Sequence, residues 1–263
     1  MTAFFVLGLV AFGVSLLTLF SGFGLGTLLM PVFAVFFPVE VAVASTAVVH
    51  AANNLFKVGL LVRGASGKVI LRFGIPAVAA SFCGAMVLTG LSGQPSLGSW
   101  SFMGRVALVT PVKLVMGVLI LGFALLELVP ALRSVHVPVR FLPLGGVLSG
   151  FFGGLSGHQG ALRAAFLTPL GLSPKQFAST QAVLALLVDG ARLLVYGWSL
   201  VTLGGAGRGG TIPWPLVWAT TACAFVGAAL GKRLLAKVTI AFVHAVIGVL
   251  LLVVGVALAV GVA

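Results

Sequence analysis

The chain has 263 residues, of which 60% are hydrophobic and 7% are charged, and its mean hydropathy is +1.28. A soluble domain has about 25% charged residues, so this composition excludes an ordinary water-soluble protein. The net charge of +12 would suit nucleic-acid binding, but most basic residues lie in short loops between apolar runs, where Lys and Arg orient membrane proteins. We therefore predict an integral membrane protein that binds no nucleic acid.

The first apolar stretch covers roughly residues 3–37 and has no charged residue before Glu40. It lacks the basic start of a secretory signal peptide and exceeds its length, so we expect it to belong to the mature protein. A straight helix of this length would exceed ~50 Å, whereas a hydrocarbon core is about 30 Å thick. The glycines of Ser21–Gly26, followed by Pro31, permit non-helical backbone. We therefore predict a broken helix or a re-entrant hairpin.

The remainder of the chain repeats this plan. Three helices are expected after the first stretch, at roughly 41–62, 71–91 and 106–129. A shift of 134 residues places Gly26 on Gly160 and Ala44–Thr46 on Ala178–Thr180. The second half therefore has its own Gly-rich stretch, at roughly 141–172 with a break at Gly153–Gly160, and helices at roughly 176–197, 212–231 and 238–262. We predict two transmembrane repeats, residues 1–132 and residues 133–263.

Loop charges distinguish eight full crossings from six crossings plus two hairpins. Eight crossings divide the basic loop residues evenly between the two sides, whereas two hairpins give an asymmetric division that obeys the positive-inside rule. The cytoplasmic set is then Arg63, Lys68, Arg72, Arg133, Arg140, Lys175, Lys232, Arg233 and Lys237, against Arg105, Lys113 and Arg208 outside. We predict an all-α membrane protein with two inverted four-segment repeats, each a broken or re-entrant hairpin followed by three transmembrane helices. Secondary transporters often have this plan.

The Gly-rich breaks are candidate substrate sites. Each is followed by the start of a helix, whose free backbone N–H groups and positive dipole end favour an anion. Gly24, Gly26 and Gly160 are therefore candidate site residues, although glycines also serve close helix packing. His158 and Gln159 lie at the second break. For this His we consider two roles, a structural one and substrate binding or titration near neutral pH.

Three charged residues in the second half stand inside apolar segments. Arg163 follows Gly160 by three residues, and an ionisable side chain inside a membrane is costly and by default a functional candidate. Its planar guanidinium suits the paired oxygens of a sulfonate, phosphate or carboxylate; a structural ion pair is the alternative. Asp189 and Arg192 share a helical face, which predicts a local salt bridge. A second hypothesis is that Asp189 alternates between Arg192 and a proton and couples transport to a proton gradient.

Two sets of polar residues accompany the predicted helices of the first and second halves. The first set forms one stripe at spacings of three and four and comprises His50, Asn53, Asn54 and Lys57. So many donors need partners, which favours the lining of a cavity over a buried core stripe. The second set consists of Ser45 and Thr46 and their repeat equivalents, Ser179 and Thr180. We predict that these hydroxyls line one pocket; hydrogen bonds within their own helices are the alternative.

The motifs resemble those of the sulfite exporter TauE/SafE family, also described as the 4-toluene sulfonate uptake permease family. The resemblance is carried by Gly22–Gly26 through Pro31, Val43–Thr46, Arg63-Gly64 and, in the second half, Ser156–Arg163. It implies a multi-pass secondary transporter of the bacterial inner membrane that moves small, often sulfur-containing anions such as sulfite, thiosulfate or organosulfonates. His158, Gln159 and Arg163 depart from the simpler glycine run of the family's second motif.

Other functional classes remain as alternatives. An anion channel would use the same helix ends but needs a continuous pore, and a transporter of small carboxylates would use the same arginine. An enzyme is not expected, because the chain has no catalytic motif such as His-Glu-x-x-His; we expect no metal and no cofactor. Cys83 and Cys223 are expected to be small buried hydrophobes. The predicted partners are a small anion, membrane lipid and, in the coupling hypothesis, protons, with a homodimer left open.

Overall fold

The computed structural model describes residues 1–17, 24–61, 64–102, 104–133, 137–202, 211–234 and 240–262. Ten helices of eight or more residues account for most of this part of the chain. They are α1 Thr2–Leu17, α2 Leu25–Phe36, α3 Val39–Leu61, α4 Gly67–Leu91, α5 Pro111–Leu128, α6 Leu142–Ser156, α7 Gly160–Leu167, α8 Pro174–Thr202, α9 Trp214–Leu234 and α10 Ile240–Ala259.

The helices are those of a membrane protein. Five helical segments in the described residues are long and apolar enough to cross a bilayer, namely those in α4, α5, α6, α8 and α9. Three shorter helices, α1, α2 and α10, are also apolar. Many large apolar side chains face outward, among them Phe5, Leu194, Trp198 and Val253, as expected where lipid rather than water surrounds the protein. The all-α membrane fold that the composition predicts is therefore confirmed.

Both Gly-rich stretches are interrupted helices. The second stretch breaks between α6 and α7, where Gly157 has a left-handed φ of 82°. In the first stretch α2 begins directly after Gly24, whose φ is 122°. Because α7 has eight residues and α2 has twelve, their lengths are about 12 and 18 Å, too short to cross a core of about 30 Å. This agrees with hairpins, whose placement in a membrane stays a prediction.

Some of the predicted features lie where the structure gives no description. These are Ser21, Gly22 and Phe23 of the first break, and the loop residues Arg63, Arg208 and Lys237. The division of loop charges between two membrane sides, and the inversion of the repeats, therefore stay predictions.

The start of the fourth predicted segment was wrong. Residues 106–109 are not helical but belong to strand β2, Arg105–Val109, which pairs antiparallel with β1, Gly98–Phe102. Small or polar residues alternate with bulky ones over residues 99–102 and 105–108, and Gly104 between the strands has a positive φ of 77°, which a tight hairpin turn favours. The helix begins only at Pro111, after Thr110, whose hydroxyl accepts from the backbone N–H of Lys113 at 3.3 Å. Pro and an N-cap Thr together fix that start.

The cysteine prediction was also partly wrong. Cys83 is exposed on α4 and Cys223 is partly buried on α9. An apolar sequence context predicts membrane embedding but does not separate a lipid-facing position from an interior one, because both surroundings are apolar.

Glycine contacts bring pairs of helices unusually close. Three glycines of α6, each four residues apart, face backbone carbonyls of α4: Gly146, Gly150 and Gly154. A Cβ at these positions would lie 2.0–2.2 Å from the carbonyl oxygens of Phe73, Ala77 and Ser81. On α9, a Cβ at Gly227 would lie 2.3 Å from the carbonyl oxygen of Phe12 in α1. Small residues of this kind let membrane helices pack at backbone distance.

The helix neighbours have the pattern that two equivalent repeats would produce. The helix pairs that pack most extensively are α4–α6, α5–α10, α1–α9 and α3–α8. The predicted repeat makes α1 to α5 equivalent, in order, to α6 to α10. Under this correspondence the pair α1–α9 becomes α6–α4, while the pairs α3–α8 and α5–α10 are unchanged. The boundary at residues 132 and 133 is not tested by this pattern.

Candidate substrate site at the two helix breaks

The two Gly-rich breaks touch each other beside α3. A Cβ on Gly26, in the first turn of α2, would lie 3.3 Å from the carbonyl oxygen of Gly157 at the second break. It would also lie 3.3 Å from Cδ2 of His50 on α3. The first break, the second break and α3 therefore meet at one point, and the absence of a side chain on Gly26 permits this approach.

Asp189 on α8 is the centre of a buried hydrogen-bond cluster next to that point. Its Oδ1 accepts from Arg192 Nε at 3.1 Å and Nη2 at 2.8 Å, and from Gln159 Nε2 at 3.0 Å. Its Oδ2 lies 2.6 Å from His50 Nδ1 and accepts from Asn54 Nδ2 at 3.4 Å. The ion pair predicted between Asp189 and Arg192 is thus confirmed. Because both carboxylate oxygens have partners, Asp189 holds the second break, α3 and α8 together.

Arg163 extends the cluster from α7. Its Nη1 donates to Gln159 Oε1 at 2.9 Å, and its Nε donates to Gln181 Oε1 on α8. Gln159 therefore bridges Asp189 and Arg163, since its amide donates to one and its carbonyl accepts from the other. Arg163 is 1% exposed, and these two amides orient its guanidinium.

The polar stripe of α3 is turned into the protein. His50, Asn53, Asn54 and Lys57 are all buried, and Lys57, at 7% exposure, does not extend to the surface. Asn53 accepts through Oδ1 from Ser15 Oγ of α1 at 3.3 Å. His50 and Asn54 contact Asp189, and Lys57 follows Asn54 by three residues on the same face of α3. The stripe therefore joins the same buried region as Arg163 and Asp189.

The two Ser-Thr pairs differ, although all four residues are buried. Ser179 donates to the carbonyl of Lys175 at 2.7 Å, and Thr180 Oγ1 accepts from the backbone N–H of Ser66 at 2.9 Å. Within the described residues, the hydroxyls of Ser45 and Thr46 have no hydrogen-bond partner. The prediction that all four line one pocket is not tested. The hydroxyls of Ser45 and Thr46 are unpartnered, and Thr180, which accepts from Ser66, keeps its O–H proton to donate.

His158 sits at the second break with one ring nitrogen engaged. Its Nδ1 lies 3.1 Å from the carbonyl oxygen of Ser156, and its ring stacks on Phe123 of α5 at 5.1 Å. Its Nε2 is buried without a partner among the residues described. Asn53 Nδ2 and Gln181 Nε2 are in the same condition. Buried polar groups are normally hydrogen-bonded, so these atoms mark where a ligand can supply the missing contacts.

Sequence reasoning missed several contributors. Gln181 was noted only as the neighbour of Ser179-Thr180 and was given no role of its own, although it lies eight residues, about two helical turns, before Asp189. Tyr196, whose hydroxyl donates to the carbonyl of Gly154, and Ser15 also join the buried polar contacts. A polar residue two turns from a buried acid was a usable signal for Gln181; Ser15 had none, because only the packing of α1 places it beside Asn53.

Charge is the dominant property of the cluster. Arg163, Arg192 and Lys57 are cations, and Asp189 is the one acid among them. Buried positive charge in excess of negative charge is costly in a low-dielectric region. A bound anion would offset that cost.

The comparison with family models agrees with this chemistry. The model described as "Sulfite exporter TauE/SafE" matches residues 7–258. The chain belongs to the TauE/SafE family. No curated protein and no solved structure matches the chain. Membership in TauE/SafE confirms the resemblance of the Gly-rich motifs, and together with the apolar helices it makes this a multi-pass membrane protein of the sulfur-anion exporter type, whose relatives are transporters rather than enzymes.

Proposed function

We propose that this TauE/SafE protein is a secondary transporter that moves a small sulfur oxyanion across the bacterial plasma membrane by alternating access. The observation that carries the proposal is the buried cation-rich cluster at the contact of the two helix breaks. Inverted repeats with broken helices that meet near the midplane are a recurring site architecture of secondary transporters.

Arg163 is the residue we assign to substrate binding. Gln159 and Gln181 hold its guanidinium through Nη1 and Nε, so the orientation of its planar donor fork is fixed before a ligand arrives. A fork of this kind matches two oxygens of a sulfite or sulfonate group. The backbone N–H groups at the start of α7, which begins at Gly160, add donors of the kind that bind oxyanions.

The position of the cluster between the two predicted repeats supports alternating access. α3 belongs to the first predicted repeat, and α7 and α8 belong to the second. Asp189 of the second repeat contacts His50 and Asn54 of the first repeat. Gln159 of the second repeat donates to Asp189 and is connected to them through it. A rocking motion between the repeats would move these contacts and expose the anion first to one side and then to the other.

Counterflow in proteoliposomes tests the proposal. Purified protein is reconstituted, the vesicles are loaded with unlabelled sulfite, and uptake of labelled sulfite is followed together with competition by thiosulfate, simple sulfonates, acetate and phosphate. We expect saturable counterflow inhibited by sulfur oxyanions and not by acetate. Flux that does not saturate and shows no counterflow would contradict a transporter and indicate a channel.

Replacement of Arg163 by Ala tests the assignment of the site. We expect Arg163→Ala to abolish counterflow, because the fixed charge is lost. Arg72→Ala is the matched control, since Arg72 is exposed on α4. Both variants are compared by size-exclusion elution and melting temperature in detergent. Normal counterflow by folded Arg163→Ala would remove this residue from the substrate site.

A further inference from the structure

The acidic residues of the whole chain can be accounted for one by one. There are three: Glu40, Glu127 and Asp189. Glu127 on α5 binds His244 on α10. Glu40 lies at the start of α3, seventeen residues before Lys57, a separation of about 25 Å along the helix. Asp189 is therefore the acidic residue that supplies negative charge to the buried cluster.

The carboxylate of Asp189 is already engaged by Arg192 and His50. Arg192 binds Oδ1 through two nitrogens and His50 lies at Oδ2. Three cationic side chains, Arg163, Arg192 and Lys57, stand against this single carboxylate. The cluster thus carries two more positive than negative charges if His50 is neutral, and more if His50 is protonated.

Lys57 occupies the end of the polar face that reaches Asp189. It follows Asn54 by three residues and Asn53 by four, so the three side chains lie on one face of α3, and Asn54 donates to Asp189. Among the described residues, no acid forms a salt bridge with the Lys57 ammonium. A lysine held in this way has three rotatable donors and a compact charge to give to a ligand.

We infer that the site selects divalent oxyanions over monovalent ones. Arg163 supplies the first positive charge, and Lys57 supplies the second charge, which sets this selectivity. The inference rests on the proposed function and names the charge class of its substrate. A dianion cancels both surplus charges at once. A monovalent sulfonate of the same size leaves one buried positive charge uncompensated, which is the costly arrangement in a low-dielectric site.

Sulfate and methanesulfonate provide a matched pair of competitors. Methanesulfonate has a methyl group where sulfate has its fourth oxygen, so the two anions are nearly equal in size. Sulfate carries two negative charges and methanesulfonate carries one. Both are tested as inhibitors of labelled sulfite counterflow near neutral pH, where sulfate is divalent and methanesulfonate is monovalent. We expect the wild-type protein to be inhibited by sulfate at about tenfold or more lower concentration than by methanesulfonate, in line with the strength of buried charge pairs.

Lys57→Gln is expected to remove this preference by weakening inhibition by sulfate about tenfold or more, while inhibition by methanesulfonate changes little. Lys57→Arg, which keeps the charge, should retain the preference for the dianion, and sulfite counterflow by Lys57→Gln itself shows that this variant is folded. Lys68→Gln is the control, because Lys68 is exposed at the start of α4.

Equal inhibition of the wild type by both anions, or a parallel loss for both in Lys57→Gln, would overturn the inference. In either case sulfite counterflow by the wild type would leave the proposed function intact, whereas its absence would count against the function itself.

Discussion

The two helix breaks meet at Gly26 and Gly157 but contribute different chemistry. The first break supplies backbone: Gly24 adopts a φ of 122°, and Gly26 leaves room for His50. No charged residue occurs in that apolar stretch before Glu40. The second break supplies Gln159 and Arg163, which join the Asp189 cluster. A repeated backbone plan therefore carries a one-sided site, in which one break permits close approach and the other brings charge.

The largest expected effect comes from the charged side of this comparison. Asp189→Asn should lower the free energy of unfolding by about 3–5 kcal/mol, because Arg192 is left buried without its carboxylate. The melting temperature in detergent, followed by loss of the monodisperse size-exclusion peak, measures this. Glu40→Gln is the control, since Glu40 lies at the partly exposed start of α3.

An unchanged melting temperature for Asp189→Asn would show that the cluster tolerates surplus positive charge. It would also weaken the charge argument for a bound anion. Proton coupling through Asp189 is a separate hypothesis, and any protonation of this carboxylate must compete with the contacts of Arg192, His50, Gln159 and Asn54.

The candidate site was predictable where chemistry is local in sequence. Arg163 and Asp189 stand out because ionisable residues in apolar segments are rare, and the spacing of Asp189 and Arg192 gave their ion pair directly. The bridge of Gln159 between Asp189 and Arg163 was not predictable, because it depends on how α6 and α7 are placed against α8. The same limit applies to Lys57, whose burial is a property of packing.

The fold was predictable where hydropathy decides it. The apolar runs predicted the helices, and the cluster of glycines predicted that the helix is interrupted before Gly160. Hydropathy failed at Arg105–Val109, because an apolar strand and the start of an apolar helix look alike over five residues. The Thr110-Pro111 start signal was present in the sequence and places the helix correctly.

The next effect tests the backbone side of the comparison. Gly24→Ala should destabilise the protein by about 1–3 kcal/mol, because an L side chain is strained at a φ of 122°. Gly26→Ala should be milder for stability, since the new Cβ meets neighbours at 3.3 Å that need to shift by only a few tenths of an ångström. It should still raise the KM for sulfite counterflow, because His50 and the second break are those neighbours.

Gly90→Ala is the control for both glycine substitutions, because nothing lies within 4 Å of a Cβ there. It should leave transport unchanged, and Ala is the better helix former. If Gly26→Ala left KM at the wild-type value, contact between the two breaks would not contribute to substrate binding.

The smallest effect compares the two threonines that the repeat places at equivalent positions. Thr180→Val should cost about 1 kcal/mol in stability, because the backbone N–H of Ser66 loses its acceptor. Thr46→Val should be nearly neutral or slightly stabilising, because it removes a buried hydroxyl without a partner in the described residues. If the Thr46 hydroxyl contacts the anion, as predicted from sequence, Thr46→Val should nevertheless raise KM for sulfite counterflow while Thr180→Val does not. If instead Thr180→Val raised KM and Thr46→Val did not, the substrate contact would belong to Thr180, and the Thr46 hydroxyl would have no role in binding.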